Sequence, residues 1–380
     1  MLTTLSRARA PLAAFAAMGV LWGGFAADLP DLKTMLAVDA QTLGLLLFAT
    51  PIAAVSAMLV APAFGVRAGG WALPLATLVM AVAFSLPGMA GSVWLFPLAM
   101  LAAGAGTGLT DVIMNARVAD LENRHSQPLM NLCHAAYSFG LAGGALLVGG
   151  LRSAALGPAP TLGTIALIAA LLALLTIEKD GAIHGLAKPK DKGAAKLGLV
   201  PLIGGAIVLI AFLTENAAEN WSALHIEQTL GGSPAAGAMG PAVMALTMGF
   251  ARLAGQGIAQ RVAGHIMLIC GALLSAVGAL IAAAATSPAM AYAGFIIMGL
   301  GSSVIAPTAF SMVGQMANPA ARARAVARAT LLGYFGYFFG PPFVGFLAGH
   351  FGLRAAFVFA AVLLLLVPIF AFRLLSLRRA

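Results

Sequence analysis

Charge is the scarcest feature of this sequence. Its 21 lysines and arginines and its 12 aspartates and glutamates make up only 9% of the 380 residues, against about a quarter in a typical globular domain. So few charged side chains cannot solvate the surface of one or two water-soluble domains. The composition therefore excludes an ordinary soluble protein.

Cysteine and the common catalytic motifs are also scarce or missing. The two cysteines, Cys133 and Cys270, each lie in apolar sequence, so neither a disulfide framework nor a metal site is predicted. The sequence has no Walker motif, no HExxH and no GxSxG, which argues against an ATP-driven pump and against the common hydrolases. We expect no cofactor and no metal.

Long apolar runs fill most of the chain. Hydrophobic residues make up 61% of it, with a mean hydropathy of +0.98. The 45 glycines show no collagen-like period, and the runs are too long for the alternating strands of a β-barrel. A membrane-spanning helix needs about 20 apolar residues. Twelve such spans are predicted at residues 11–30, 40–64, 71–90, 93–117, 129–151, 158–177, 198–217, 235–260, 265–286, 289–315, 327–349 and 355–376.

The basic residues are distributed unevenly over the ends of these spans. With twelve spans, all but three of the 21 lysines and arginines fall on one side, and the exceptions are Lys33, Arg152 and Arg354. The positive-inside rule makes that side cytoplasmic, together with both termini. The net charge of +9 is then a topology signal, and nucleic-acid binding is not expected.

The longest polar segment divides the chain into two halves. Glu178–Lys196 carries most of the central charge and separates spans 6 and 7. We predict an N-terminal six-helix bundle over residues 1–177, a cytoplasmic linker over 178–197 and a C-terminal six-helix bundle over 198–380. Aligning the two halves places Asp28 opposite Glu215, and spans 5 and 11 are both rich in glycine. This pattern is typical of the repeats of a transporter.

Four stretches carry a resemblance to a known family. They are DLPDLK (28–33) with TLGLLL (42–47), GAGTGLTDVIMNARVADLE (104–122), MNLCHAAYSFGLAGGAL (130–146) and ENAAENWSALHI (215–226). With twelve spans in two halves and a basic central segment, the chain resembles the major facilitator superfamily over nearly its whole length. The four stretches look like its bacterial branch of fucose-permease-like and rhizopine-permease-like carriers.

This resemblance implies a monomeric secondary transporter of a bacterial inner membrane that works by alternating access. The family's signature loop after span 2 keeps Arg67 and Gly69 here, but Val66 stands at its acidic position. The corresponding loop after span 8 is predicted to contain Arg252, again without an acid. We expect Arg67, Gly69 and Arg252 to take part in gating.

Ionisable residues inside spans are costly and usually face a cavity. Asp111 and Asn115 are four residues apart on span 4, and Asn131 and His134 are three apart on span 5. Because a short turn joins these spans, we expect the two pairs to meet toward the cytoplasmic side. An Asp111–His134 pair is a candidate proton acceptor, and a structural hydrogen-bond cluster is the alternative. Tyr137 lies beside it.

The outer end of span 7 is the second polar cluster. Glu215 and Glu219 lie one helical turn apart. Glu215 and Asp28 are candidates for proton coupling or solute binding, and Glu219 is a candidate for solute binding. Trp221 is predicted to be either a platform for the solute or an aromatic at the membrane interface.

Hydroxyl, amide and aromatic groups recur on spans 10 and 11. Thr308, Ser311 and Gln315 have helical spacing on span 10, and Tyr334 and Tyr337 have it on span 11. Such groups suit a sugar, a polyol or another polar organic solute, and ordinary bonding between helices is the alternative. No arginine pair is predicted at mid-membrane, which argues against a dianionic solute.

We therefore predict a secondary transporter that moves a small polar, sugar-like solute by proton symport. A drug or metabolite exporter of the same fold is the alternative. A membrane-embedded enzyme using Asp111 and His134 is a remote one, because the sequence places no nucleophile beside them.

Overall fold

The computed structural model describes residues 6–125, 128–184, 197–259, 262–318 and 322–379. Within these ranges the chain forms twelve helical rods and no strand. The rods of the first half are α1 (Arg9–Leu36), α2 (Ala40–Leu47 and Ala49–Ala68), α3 (Ala72–Met89), α4 (Leu95–His125), α5 (Met130–Ser153) and α6 (Pro158–Leu174). Those of the second half are α7 (Val200–Leu224, continued by a π-helical turn at His225–Thr229), α8 (Pro234–Ala259), α9 (Gly264–Ala284), α10 (Pro288–Ser302 and Ile305–Met316), α11 (Arg322–Phe351) and α12 (Leu353–Leu364 and Val367–Arg379).

The predicted all-α membrane fold is confirmed. Ten helical stretches in the described ranges are long and apolar enough to cross a membrane; one of them, Ala40–Met89, contains both α2 and α3, and the shorter α6 completes the twelve. Three boundaries are wrong by six residues or more: α1 continues to Leu36, α4 to His125 and the α7 rod to Thr229, whereas these spans were predicted to end at residues 30, 117 and 217. Hydropathy ends a span at its first polar cluster, but a helix continues through polar residues that face the protein interior.

Glycine seams pack the helices closely. A Cβ added at Gly19 or Gly23 of α1 would overlap the backbone of α5, and one added at Gly140 would overlap α1 in turn. In the second half, α7 and α11 make the corresponding pair, where Gly336 lies against the backbone at Leu209. Small residues permit such contacts because no side chain separates the backbones. The first helix of each half is thus paired with the fifth.

Two large apolar clusters form the core. One consists mainly of residues of α1–α6, with parts of α7, α8, α11 and α12. The other lies entirely in α7–α12. The contribution of α7, α8 and α11 to the first cluster shows that the two groups of helices are packed against each other.

One end of the bundle, here called the basic end, carries the polar segment between α6 and α7. Buried Arg117 of α4 donates to the carboxylate of Glu178 at 2.9 Å, to that of Asp120 at 2.9 Å and to the carbonyl of Asp180 at 2.8 Å. Arg124 binds Asp180 at 2.7 Å, and this contact lowers the pKa of the exposed Asp180 carboxyl. The first residues of the segment are therefore fixed to α4.

The two groups of helices approach each other most closely at the other end, here called the closed end. The first segment of α2 packs against α11, where a Cβ at Gly44 would overlap the backbone of Pro341 and Gly345. The second segment of α2 diverges from α11 toward the basic end. Near the closed end of α5, Gly149 lies against Ala238 of α8. Thus α2 and α11 separate toward the basic end, whereas α5 and α8 also pack farther along, where Gly249 lies against Ser138 and Phe139.

The seam between α2 and α4 is expected to limit stability. A Cβ at Gly108 would overlap the backbone carbonyl of Ala54, so Gly108→Ala should lower the free energy of unfolding by about 1–3 kcal/mol, as overpacking does. Gly143→Ala is the matched control, because nothing lies within 4 Å of its added Cβ. Thermal unfolding of the detergent-purified variants measures the difference. Equal midpoints for the two variants would contradict the seam.

Candidate functional site

A central cavity of about 280 Å³ lies between the two groups of helices. Its wall combines polar with apolar and aromatic side chains from both groups. The polar ones are Thr50, Thr107, Asp111, His134, Tyr137, Glu215, Asn216, Glu219, Asn220, Arg252, Tyr334 and Tyr337. The other lining residues include Phe15, Met18, Trp22, Phe25, Met58, Met100, Met114 and Phe212. A mixed wall of this kind is typical of a site for a small organic molecule.

Four polar residues from two adjacent turns of α7, here called the α7 strip, form one side of the cavity. They are Glu215, Asn216, Glu219 and Asn220. Their spacing of four residues repeats the same face of the helix, so the carboxylates lie one turn apart, as do the amides. Neither carboxylate forms a hydrogen bond or an ion pair with a residue in the described ranges. The attraction of Arg252 reaches both from a longer distance.

Asp111 lies across the cavity and connects the two groups of helices. The Tyr334 hydroxyl of α11 donates to Asp111 Oδ2 at 3.0 Å. Asn115, one turn along α4, donates to Asp111 Oδ1 at 3.1 Å. Both oxygens of this carboxyl group are therefore bonded, unlike those of Glu215 and Glu219.

Aromatic rings stand on the α11 side of the cavity. The rings of Phe212 and Tyr337 stack with centroids 4.7 Å apart, and those of Phe212 and Tyr334 are 6.0 Å apart. Tyr137 of α5 lines the same cavity. These rings offer flat apolar surfaces beside hydroxyl groups.

A second cavity of about 440 Å³ opens near the basic end. Asn131, Thr308, Ser311 and Gln315 line this second cavity and not the central one. Arg252 lines both cavities, and it donates to Ser138 Oγ of α5 at 2.9 Å. Arg252 therefore stands between the central cavity and the basic end.

A buried arginine joins three helices at the closed end. The side chain of Arg152 on α5 is 1% exposed. It donates to Asp31 at 2.6 Å, to the carbonyl of Ala27 at 2.8 Å and to both oxygens of Glu227 at 2.7 and 2.9 Å. Asp28 lies 3.8 Å away. Because Glu227 belongs to the α7 rod, this arginine cluster closes the end across the two groups of helices.

Comparison with known proteins identifies the family of this chain. A sequence profile of the Major Facilitator Superfamily matches residues 204–380. An uncharacterized MFS-type transporter of Yersinia pestis is 31% identical over 362 residues, covering 93% of this chain and 92% of the relative. This chain belongs to the Major Facilitator Superfamily. It is thus a multi-pass membrane protein of a transporter family rather than of an enzyme family.

Solved structures of this superfamily resemble the fold along its whole length. The nucleoside transporter NupG matches with a TM-score of 0.74 at 14% identity and covers 98% of each chain. The E. coli fucose:proton symporter FucP matches with a TM-score of 0.60 at 17% identity, covering 96% of this chain and 98% of the other. At such identities the likeness shows the fold and not the solute.

The structure corrects several expectations about this superfamily member's site. Asp111 and His134 line one cavity but form no hydrogen bond with each other in the described part of the chain. The ring of His134 instead lies edge-on to Phe15, with centroids 5.0 Å apart. Arg252 lies inside α8 rather than in the loop after it, because the helix continues past its apolar run. Arg252 thus lines the cavity, and within the described part of the chain no second arginine joins it to form a pair.

Other predicted residues lie away from the cavities. Trp221 is fully buried in the core, so it is neither a platform for the solute nor an interface aromatic. Asp28 is buried beside Thr161, which donates to it at 3.1 Å, and it belongs to the surroundings of Arg152. Asn115 reaches the cavity only through Asp111. Arg67 is exposed in the last turn of α2, and Gly69 follows it with a φ of +54°.

Two functional features were missed from the sequence. Phe212 lies one helical turn before Glu215, and this spacing was the available signal. Arg152 and Glu227 are far apart in sequence, so their contact was not predictable. The exceptional position of Arg152 on the side with few basic residues was its only sequence signal.

The arginine cluster is expected to hold the closed end shut. Glu227→Gln removes one charged acceptor of Arg152 and should cost the closed form roughly 1–3 kcal/mol, as expected for bonds to charged groups. A cysteine replacing Val55 in the cavity, with Cys270→Ser as background, should then react several-fold faster with an impermeant maleimide added on the closed-end side. Glu122→Gln at the basic end is the matched control. An unchanged labelling rate in Glu227→Gln would show that the cluster does not hold this end.

Proposed function

We propose that this protein is a secondary active transporter that moves a small polar organic solute through the central cavity by alternating access. The observation that carries the proposal is a cavity between two groups of helices, with polar groups from both in its wall and a closed end beyond it. In the alternating-access mechanism the two halves rock about such a central site.

The moving units are the two six-helix bundles, residues 1–177 and 198–380, joined by the linker at 178–197. The paired seams α1–α5 and α7–α11 support this division, since each would keep its own half rigid. The contacts that must break are those between the halves, above all Arg152 with Glu227 and Lys33 with Gln228. One chain forms a complete cavity, so the working unit is a monomer.

The basic end faces the cytoplasm of a bacterial inner membrane. The uneven distribution of lysine and arginine supports this orientation. In this orientation the closed end faces the outside, and the second cavity lies on the cytoplasmic side of the central one. Gating at the basic end would involve Arg252, between the cavities, and the end of α2 at Arg67 and Gly69.

Proton symport drives uptake, with Asp111 as the principal proton carrier and Glu215, Asp28 and His134 as further candidates. The bond from Tyr334 to Asp111 joins the halves, and protonation of the carboxyl group would weaken it because a neutral acceptor binds a hydroxyl less strongly. Proton binding would thus loosen a contact between the halves. One proton moving inward through 100 mV gains about 2.3 kcal/mol, or about a fifty-fold gradient of solute.

The solute is small, polar and sugar-like. Tyr137, Tyr334 and Tyr337 offer hydroxyl groups and ring faces, and Glu219 offers acceptors for hydroxyl donors. Asn131, Thr308, Ser311 and Gln315 of the second cavity would bind the solute on its way to the cytoplasm. That FucP is a fucose:proton symporter is consistent with this solute class.

Export of a drug or metabolite is the second candidate. The methionine and phenylalanine side chains of the cavity wall, such as Met58, Met100 and Phe25, favour it, since they adapt to varied apolar ligands. Higher resistance to toxic compounds on expression of the protein, without solute uptake, would support export.

Asp111→Asn is expected to abolish uphill solute uptake by proteoliposomes carrying an inward proton gradient. Exchange of solute without a gradient should remain within a few-fold of the wild type, because asparagine keeps an acceptor for Tyr334 but does not bind a proton. The control is Asp39→Asn at the start of α2. There the carboxylate caps the helix by accepting from the Thr42 amide at 2.7 Å, and asparagine caps equally well. Unchanged uphill uptake in Asp111→Asn would exclude Asp111 as the coupling group.

A further inference from the structure

The charges that face the central cavity do not balance. Among the described residues, Asp111, Glu215 and Glu219 supply three carboxyl groups, while the basic side chains are the guanidinium group of Arg252 and the imidazole of His134. Charges in a membrane interior normally pair with one another or with backbone groups. The cavity wall therefore holds more acidic groups than its own basic groups can match.

The excess lies in the α7 strip. Asp111 is bonded to Tyr334 and Asn115, and Arg252 is bonded to Ser138. Glu215 is only 5% exposed. Its carboxylate nevertheless has no hydrogen-bond or ion-pair partner in the described ranges. Glu219 likewise has none. Two adjacent carboxylates thus remain free to bind a ligand.

The side-chain amide of the neighbouring Asn216 also lacks a hydrogen-bond partner at its oxygen in the described ranges. Asn216 is 9% exposed, and its Oδ1 has no hydrogen-bond partner although it is buried in the cavity wall. A buried acceptor without a donor is destabilising. This acceptor of the strip therefore lacks a hydrogen-bond donor within the described part of the chain, and the two carboxylates of the strip also lack an adjacent positive charge there. A single ligand group that supplies both is an ammonium.

The rings around the strip suit the same group. The stacked rings of Phe212 and Tyr337 and the ring of Tyr137 line the cavity with Glu215 and Glu219. The faces of aromatic rings attract cations, most strongly where water is excluded. A neutral sugar would use the ring faces but would leave the carboxylates without a counter-charge.

We infer that the transported solute is a small primary or secondary amine whose ammonium group binds between Glu215 and Glu219 of α7, against the rings of Phe212 and Tyr337. This inference rests on the proposed transport through the central cavity and narrows its solute class. Asp111, whose oxygens are already bonded, stays available for the proton. The solute and the proton then use different carboxyl groups.

The test compares amines with neutral counterparts of the same shape. The thermal unfolding midpoint of the purified protein is measured at neutral pH with glucosamine, tyramine and ethanolamine, and with glucose, tyrosol and ethylene glycol. At least one amine should stabilise the protein while its neutral counterpart does not. In Glu215→Gln and Glu219→Gln that amine should bind roughly tenfold more weakly or worse, as expected for the loss of a charge-assisted hydrogen bond.

Glu122→Gln is the matched control variant, because Glu122 lies outside the cavity and accepts the Met130 amide at 2.8 Å, which glutamine also does. It should bind the amine as the wild type does. Two results overturn the amine inference and leave the proposed function standing. One is stabilisation by the neutral compounds alone, and the other is amine binding by the Glu215 and Glu219 variants that equals that of the wild type. No stabilisation by any member counts against the inference and the proposed cavity together.

Discussion

A charge buried in an apolar interior must be matched, and this constraint determines the arrangement of the whole bundle. At the closed end, Arg152 is matched by Asp31, Glu227 and a backbone carbonyl, so it joins the helices firmly. In the central cavity, Glu215 and Glu219 have no hydrogen-bond or ion-pair partner among the residues that the structure describes. The matched cluster stabilises one conformation, and the unmatched pair is available to a ligand. The closed end and the proposed solute site thus both depend on buried charges, which are paired at the closed end and unpaired in the cavity.

The glycine seams determine where those charges lie. Close packing of α1 on α5 and of α7 on α11 makes each half a stiff unit. Between the halves, α2 and α11 pack at the closed end only, while α5 and α8 also pack at Gly249 and Ser138. The bond of Tyr334 with Asp111 crosses the cavity at the level of the proposed solute site. This bond therefore joins the two halves at the cavity itself.

Much of this fold is predictable from sequence, because membrane spans depend on composition over about twenty residues. The number of helices and most of their boundaries follow from local patterns, as does the selection of Asp111, Glu215 and Glu219 as candidate residues, all three of which line the central cavity. The partners of those residues do not. Asp111 was expected to pair with His134 on the next helix, but it binds Tyr334, which lies 223 positions away. Trp221 is predicted to be a platform for the solute or an aromatic at the membrane interface, whereas the packing of α7 places it in the core.

The central claim is that the closed end must open during each transport cycle. A disulfide across this end tests it most directly. Gln41→Cys and Gly349→Cys place two cysteines across α2 and α11, where a Cβ added at Gly349 lies 3.0 Å from that of Gln41, close to the spacing of about 3.5–4.5 Å in disulfides. In a Cys270→Ser background, oxidation should stop uptake by proteoliposomes, and reduction should restore it. Full uptake by the fully cross-linked protein would contradict alternating access through this end.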